Sequence, residues 1–242
     1  MINYINKMMA KRGLQLKIRR VIAPDLVRRF KIINYHNIDT LFDIGANAGQ
    51  YGISMREMGY SKRIISFEPL ADAFEKLRNT SSNDSKWIVN NYALGNENIK
   101  SVINVAGNSA SSSILNMLPK HLNSAPESEY IAQEEIEVKK LDSIFNLFSN
   151  KDDSVMLKID TQGFEKNVLD GANESLNYVK IIQLEMSIVP LYENEMIFTE
   201  MIKHLDNKGF QLFSLEDVFS DQTTGQLLQV DGIFVKKDLN NN

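Results

Sequence analysis

Two apolar runs, each ending in an acid, bracket a short glycine turn, and this arrangement restricts the fold more than any other part of the chain. The first run opens Leu41-Phe-Asp-Ile-Gly-Ala-Asn-Ala-Gly49, and the second is Ile64-Ile-Ser-Phe-Glu-Pro69. Short apolar runs bounded by turn residues read as buried strands. The glycines at 45 and 49 form a tight turn that opens a helix, and the second run returns as the next strand. Glu68 follows Gly45 by 23 residues. That is close to the roughly 20 that separate a glycine turn from its ribose-binding acid in an adenosine-binding βαβ unit. The pattern predicts an adenosine-containing cofactor.

The details of the turn narrow the choice. A dinucleotide turn reads Gly-x-Gly-x-x-Gly, whereas here Asn47 takes the second glycine position and Gln50 the third. Asparagine tolerates positive φ, so the turn still forms, but a pyrophosphate finds less room over it. A cofactor with an adenosine and no phosphate, S-adenosylmethionine, fits better. Asp43 beneath the turn would repel a diphosphate and attract the ammonium or sulfonium of that cofactor. Gly45, Ala46, Asn47 and Gly49 are then expected along the cofactor. Glu68, followed by Pro69, is expected to accept both ribose hydroxyls. Asn91, Tyr92 and Ala93, at the end of a third strand, are expected near the adenine.

From residue 39 onward strands and helices alternate. Strands are expected over 40–44, 63–67, 87–93, 154–160 and 180–185, and helices over 50–58, 70–79 and 197–207. Two last strands, 210–215 and 229–235, have no helix-length segment between them and can pair antiparallel. The fold class is therefore α/β, a Rossmann-like, mostly parallel sheet with helices on both faces. Residues 96–140 interrupt the rhythm. They hold strand-like 101–106 and 136–140 around Ser109-Ala-Ser-Ser-Ser113 and a polar stretch. Such an insertion at the carboxyl end of a sheet is either a substrate lid or a decorated hairpin.

Charge is unevenly spread. The whole chain carries −4, but residues 1–31 hold nine basic side chains against Asp25 alone, a local +8 that leaves −12 for the rest. The acidic body argues against nucleic acid as substrate. Residues 1–38 read as a basic helical extension, with Pro24-Asp25 marking a helix start. It either packs on the sheet with a solvated basic face, or offers a homo-oligomer contact or a patch for an acidic glycan or a membrane surface. Residues 39–237 form the cofactor-binding domain, and 238–242 a disordered tail. No cysteine is present, which removes disulfides, zinc–thiolate sites and cysteine nucleophiles. The first ten residues lack an apolar signal core and no run of 18 apolar residues occurs, so the expectation is an unprocessed cytoplasmic protein without a transmembrane segment.

A third block, Leu157-Lys-Ile-Asp-Thr-Gln-Gly-Phe-Glu165, carries the reactive candidates. Asp160 ends a buried strand where open α/β sheets place ligands. Lys158 is two residues earlier, on the same face, and in an apolar strand it needs an acid such as Asp160, Glu165 or Glu185. Methyl transfer from a sulfonium is a displacement on an already activated donor, so positioning supplies much of the catalysis. A hydroxyl acceptor still benefits from a base. Asp160 is the first candidate, Glu185 at the end of the neighbouring strand the second, and His121 in the insertion the third. His36 and His204 read as structural. Asp160, Glu165 and Glu185 could converge on a divalent cation, but no compact ligand motif enforces one, and no metal is expected.

Taken together, three blocks resemble the FkbM-family methyltransferases. They are Phe42-Asp-Ile-Gly-Ala-Asn-Ala-Gly49 with Phe67-Glu-Pro69, then Tyr92-Ala-Leu-Gly95 with Ser111-Ser-Ser113, then Leu157 to Glu165 with Val168-Leu-Asp-Gly-Ala172 and the strand ending at Glu185. The resemblance spans about residues 39–236 and implies a seven-stranded S-adenosylmethionine-dependent fold. It also implies O-methylation of a glycan or other small-molecule hydroxyl, as in surface-polysaccharide or secondary-metabolite biosynthesis. The family often has an acid where this chain has Gln162. Two rivals stand beside this reading. One is an NAD-dependent oxidoreductase or epimerase, disfavoured by the missing glycine and by the lack of a Tyr-x-x-x-Lys pair. The other is a non-catalytic adenosine-binding scaffold.

Overall fold

The computed structural model describes residues 23–240. Most of the basic leader, Lys7 to Arg20, lies outside the described residues, so its helical, membrane-facing and oligomer readings do too. Helix α1 (Pro24–Tyr35) starts at the expected proline, with Asp25 in its first turn. It is followed by β1 (Thr40–Ile44), α2 (Gln50–Glu57), β2 (Arg63–Phe67), α3 (Ala71–Ser81) and β3 (Trp87–Asn90). The insertion contains β4 (Ala93–Leu94), β5 (Ile99–Ala106), α4 (Pro119–Ser124) and β6 (Tyr130–Lys139). The rest is α5 (Leu141–Phe148), β7 (Val155–Ile159), α6 (Glu165–Asp170), β8 (Val179–Ser187), α7 (Phe198–Asn207), β9 (Phe210–Ser220) and β10 (Leu227–Lys236).

The main sheet has seven strands in the order β3-β2-β1-β7-β8-β10-β9. The first five are mutually parallel, and β10 runs antiparallel to both β8 and β9. Parallel neighbours need a crossover, and the helices that supply it cover both faces. Strands β1 and β7 are accordingly buried along their whole length. Their period-2 alternation divides the core. Phe42, Ile44, Leu157 and Ile159 face a cluster with Phe145, Val168 and Leu205, whereas Leu41 and Met156 face one with Ile33, Met55 and Leu77. Helix α1 is thus built into the sheet's second face through Ile32 and Ile33. No helix among the described residues is long and apolar enough to cross a membrane.

Three expectations need correction. Strand three stops at Asn90 rather than Ala93. The Asn91 side chain donates to the backbone oxygens of Glu68 (3.0 Å) and Pro69 (2.9 Å) and turns the chain out of the sheet. Ala93–Leu94 then pairs with β6 in a separate three-stranded sheet, β4-β6-β5. The insertion is this small sheet, with a long antiparallel β5–β6 pair. Second, α5 fills a stretch to which no element was assigned, burying Leu141, Ile144 and Phe145 at helical spacing. Third, Asp238 to Asn240 of the expected disordered tail belong to a short 3-10 turn, Lys237–Asn240.

Candidate active site

The carboxyl ends of β1, β2 and β7 open into a cavity of about 420 Å³. Its floor is the glycine turn. Gly45 has φ 77°, and a Cβ there would lie 1.8 Å from the Asp160 carbonyl oxygen. Any side chain would therefore collide with backbone that cannot yield. Asn47 follows at φ 47°. Its own Oδ1 accepts from the Ala48 N–H at 2.7 Å, a local bond that offsets the cost of this conformation. Gly49, at φ 91°, precedes α2.

Glu68 stands at the β2 end of the cavity, only 5% exposed. Asn47 N–H donates to its Oε2 at 2.7 Å and Leu70 N–H to its Oε1 at 2.9 Å. Burial pushes its carboxyl up to about 7, against the pull of those two amides and with a small push from Asp43. Pro69, Ala93, Gly45, Ala46 and Asn47 also line the cavity. Asn91 and Tyr92 do not. Asn91 pins the Glu68–Pro69 backbone, and Tyr92 packs on Phe67 at 5.5 Å with the Lys139 ammonium 4.1 Å from its ring centre. Both lie where the chain leaves the sheet, which is why neither faces the cavity.

At the β7 end, Lys158 Nζ donates to Asp160 Oδ2 at 3.0 Å, and Gln162 Nε2 donates to Asp160 Oδ1 at 2.8 Å. Lys158, Asp160 and Gln162 all line the cavity. Burial alone would lower the Lys158 ammonium, but the carboxylates of Asp160 and Asp43 outweigh it and raise its pKa. Of the acids offered as partners for Lys158, Asp160 is the one it meets. The second is Asp43, at 3.9 Å. Asp43 itself is fully buried and off the cavity wall, bonded to Ser66 Oγ at 3.3 Å, with Oδ1 lacking a hydrogen bond. Burial raises its pKa. It was expected to attract the cofactor's cationic groups, but it faces Lys158 rather than the cavity.

Glu185 is behind the wall. Its Oε2 accepts from Gln162 Nε2 at 2.9 Å and from Gln229 Nε2 at 2.7 Å. Burial, reinforced by Asp160 and Asp231, raises its pKa well above the usual range. Glu165 accepts from Thr161 N–H at 2.8 Å, and no metal-ligand cluster occurs among the described residues. His121 is also away from the cavity. It is 3% exposed, packed on Tyr192 and Phe219, and burial lowers its pKa to about 4. Its helix α4 seats it in a hydrophobic niche.

Several wall residues escaped sequence reasoning. Gln162, at φ 54°, bridges Asp160, Glu185 and the Tyr192 hydroxyl, which donates to its Oε1 at 2.7 Å. A glutamate there would lose both donations and add a third acid. The Ser109 loop of the insertion reaches the turn, where Asn47 Nδ2 donates to Ser109 Oγ at 3.2 Å, and Ala110, Ser112 and Ile114 line the cavity. Residues 116–133 of the insertion do not. Tyr51, Arg29 and Asp231 complete the wall. The available signal was polar residues inside apolar strands. Gln183 and Asp231 are of this kind, and buried polar groups need partners.

Seven strands in this order, with helices on both faces and a cavity at the glycine turn, form the Rossmann-like methyltransferase sheet. The chain belongs to the FkbM methyltransferase family: the methyltransferase FkbM domain matches residues 43–212. S-adenosylmethionine is its methyl donor. No curated protein matches the sequence. Among solved structures, a candidate O-methyltransferase from Klebsiella pneumoniae has a similar fold, with TM-score 0.51, 12% identity, and coverage of 97% of this chain and 89% of the other. TrmK from M. capricolum, solved with S-adenosylhomocysteine, gives TM-score 0.49 at 8% identity, covering 90% of this chain and 70% of that one.

Proposed function

We propose that the chain transfers a methyl group from S-adenosylmethionine to a hydroxyl of a sugar or similar small polyol. The observation that carries this reading is Asp160, a carboxylate on the cavity wall with each oxygen held by a separate donor. The donor half of the site is supported by Glu68, a buried carboxylate facing the cavity from the end of β2, and by the bare Gly45 backbone. Ionised Glu68 can accept the ribose hydroxyls, and the apolar Leu70, Leu94, Ile103 and Phe164 suit a flat base. When bound, S-adenosylmethionine supplies an activated methyl group.

The protein's task is then to hold and deprotonate an acceptor. Asp160 accepts the hydroxyl proton, while Lys158 and Gln162 fix its plane. Glu185, reached only through Gln162, is a positioning residue. The wall offers Gln50, Ser54, Ser109 and Ser112 to a polar, uncharged acceptor. Its two cations, Arg29 and Lys158, are both ion-paired, which disfavours a phosphate in the cavity.

The test is single-turnover transfer to a panel of sugars at saturating cofactor. Asp160→Asn should keep cofactor affinity and slow transfer by roughly 10²–10⁴, the range for a lost general base. Wild-type rates in that variant would refute the assignment.

A further inference from the structure

The family match begins at residue 43 and ends at 212, yet two charged residues on the cavity wall lie outside it. Arg29 comes from α1 and Asp231 from β10. Arg29 is 16% exposed and is gripped by Glu216 at 2.5 Å and Asp231 at 3.4 Å. Both bonds run from Nη2, so Nη1 has no partner among the described residues. The guanidinium lies 5.2 Å from the ring centre of Tyr51, on the first turn of α2, and Lys158 Nζ lies 5.4 Å from the same centre. Asp231 Oδ2 also accepts from Gln183 Nε2 at 2.8 Å, and Gln183 Oε1 accepts from the Tyr51 hydroxyl at 2.8 Å. The hydrogen-bonded group thus draws on five elements, α1, α2, β8, β9 and β10.

Its place along the sheet has a direction. Reading across the strands, the cavity meets Glu68 at β2, the glycine turn at β1, Asp160 at β7 and Asp231 at β10. Strands lie about 4.8 Å apart. A nucleoside anchored at Glu68 therefore sends its 5′ substituent over β1, toward Asp160, Tyr51 and Arg29. That substituent in S-adenosylmethionine ends in an ammonium and a carboxylate. This end of the cavity mixes signs in the same way, with Arg29 and Lys158 among Asp160, Asp231 and Glu216. A simple anion would face three acids, whereas a zwitterion finds a partner for each of its charges.

Building on the cofactor reading above, we infer that Arg29 and Asp231 form the subsite for the amino-acid end of S-adenosylmethionine, with Arg29 on its carboxylate and Asp231 on its ammonium. Helix α1 is then part of the cofactor site rather than an appendage to it.

Calorimetry with two ligands tests this. S-adenosylhomocysteine carries the amino-acid end, and 5′-methylthioadenosine has the same nucleoside without it. Arg29→Gln should weaken S-adenosylhomocysteine by about 10–100-fold, the scale of a charged hydrogen bond, and leave 5′-methylthioadenosine unchanged. The unchanged ligand also reports that the pocket is folded. Asp231→Asn should show the same one-sided loss. Equal losses for both ligands would make Arg29 a structural prop and overturn the inference, as would wild-type affinity for S-adenosylhomocysteine in Arg29→Gln. If the wild-type protein binds neither ligand, the cofactor reading itself fails and the inference with it.

Discussion

Replacing Glu68 with glutamine should change stability by an amount that depends on pH, and the size follows from the site. The carboxyl is pushed from the usual 4.5 up to about 7 by burial. Each tenfold change in proton affinity is ~1.4 kcal/mol, so ionising this group costs the folded state about 3 kcal/mol. Below pH 4.5 the group is protonated both folded and unfolded, and the fold loses nothing. As pH rises toward 7 and beyond, the unfolded chain releases the proton readily and the folded one reluctantly. The native state binds more protons, so stability falls with pH across this window. Glutamine removes that titration. It also replaces one acceptor oxygen by an NH₂, so either Asn47 N–H or Leu70 N–H loses its partner, at about 1–3 kcal/mol. Urea unfolding should therefore find Glu68→Gln less stable than wild type by about 1–3 kcal/mol at pH 5. At pH 8.5 it should be equal or more stable. Glu165, also raised to about 7, titrates in both proteins and cancels in the difference. A stability difference that is the same at both pH values would refute the argument. Cofactor affinity gives a second arm, since a lost charge-assisted ribose contact should weaken S-adenosylmethionine by about 2–3 kcal/mol.

Two further outcomes follow from the wall. Gln162→Glu brings a third acid against Asp160 and Glu185 in place of a shared donor. It should cost about 2–4 kcal/mol at pH 8 and recover at lower pH or with added magnesium, measured by thermal melting with and without the ion. His121→Ala should lower stability by about 2–4 kcal/mol through a cavity against Tyr192 and Phe219, while single-turnover transfer stays near the wild-type rate. A catalytic collapse without loss of stability would return His121 to the list of bases.

How much of this was legible in the chain depends on how local each signal is. Strands β1 and β2 have the bounds expected of them, because continuous burial makes an apolar run and a turn ends it. Glu68 and Asp160 lie on the cavity because each directly follows such a strand. Strand β3 misled, because one asparagine side chain pulls the backbone away, and a run of residues does not show where a side chain will reach. Helix α5 passed unnoticed because eight residues carry too little periodicity to stand out. The harder omissions are non-local. Gln162 read as a missing acid, and its use as a two-way donor appears only once β7, β8 and the Tyr192 loop are together. Arg29 read as one more charge in a basic leader, because its partners lie near the other end of the chain.

Strand β10 follows β9 in the chain, yet it lies between β8 and β9 rather than at a sheet edge. The Arg29–Asp231 contact spans 202 residues, so at 5–20 residues per second Arg29 waits about 10–40 s for its mate. Once β8 has been made, it presents an open ladder to any other strand in reach until β10 pairs with it. A truncation ahead of β10 would therefore not trim an edge. It would remove an interior strand and leave the half-made sheet a template for aggregation.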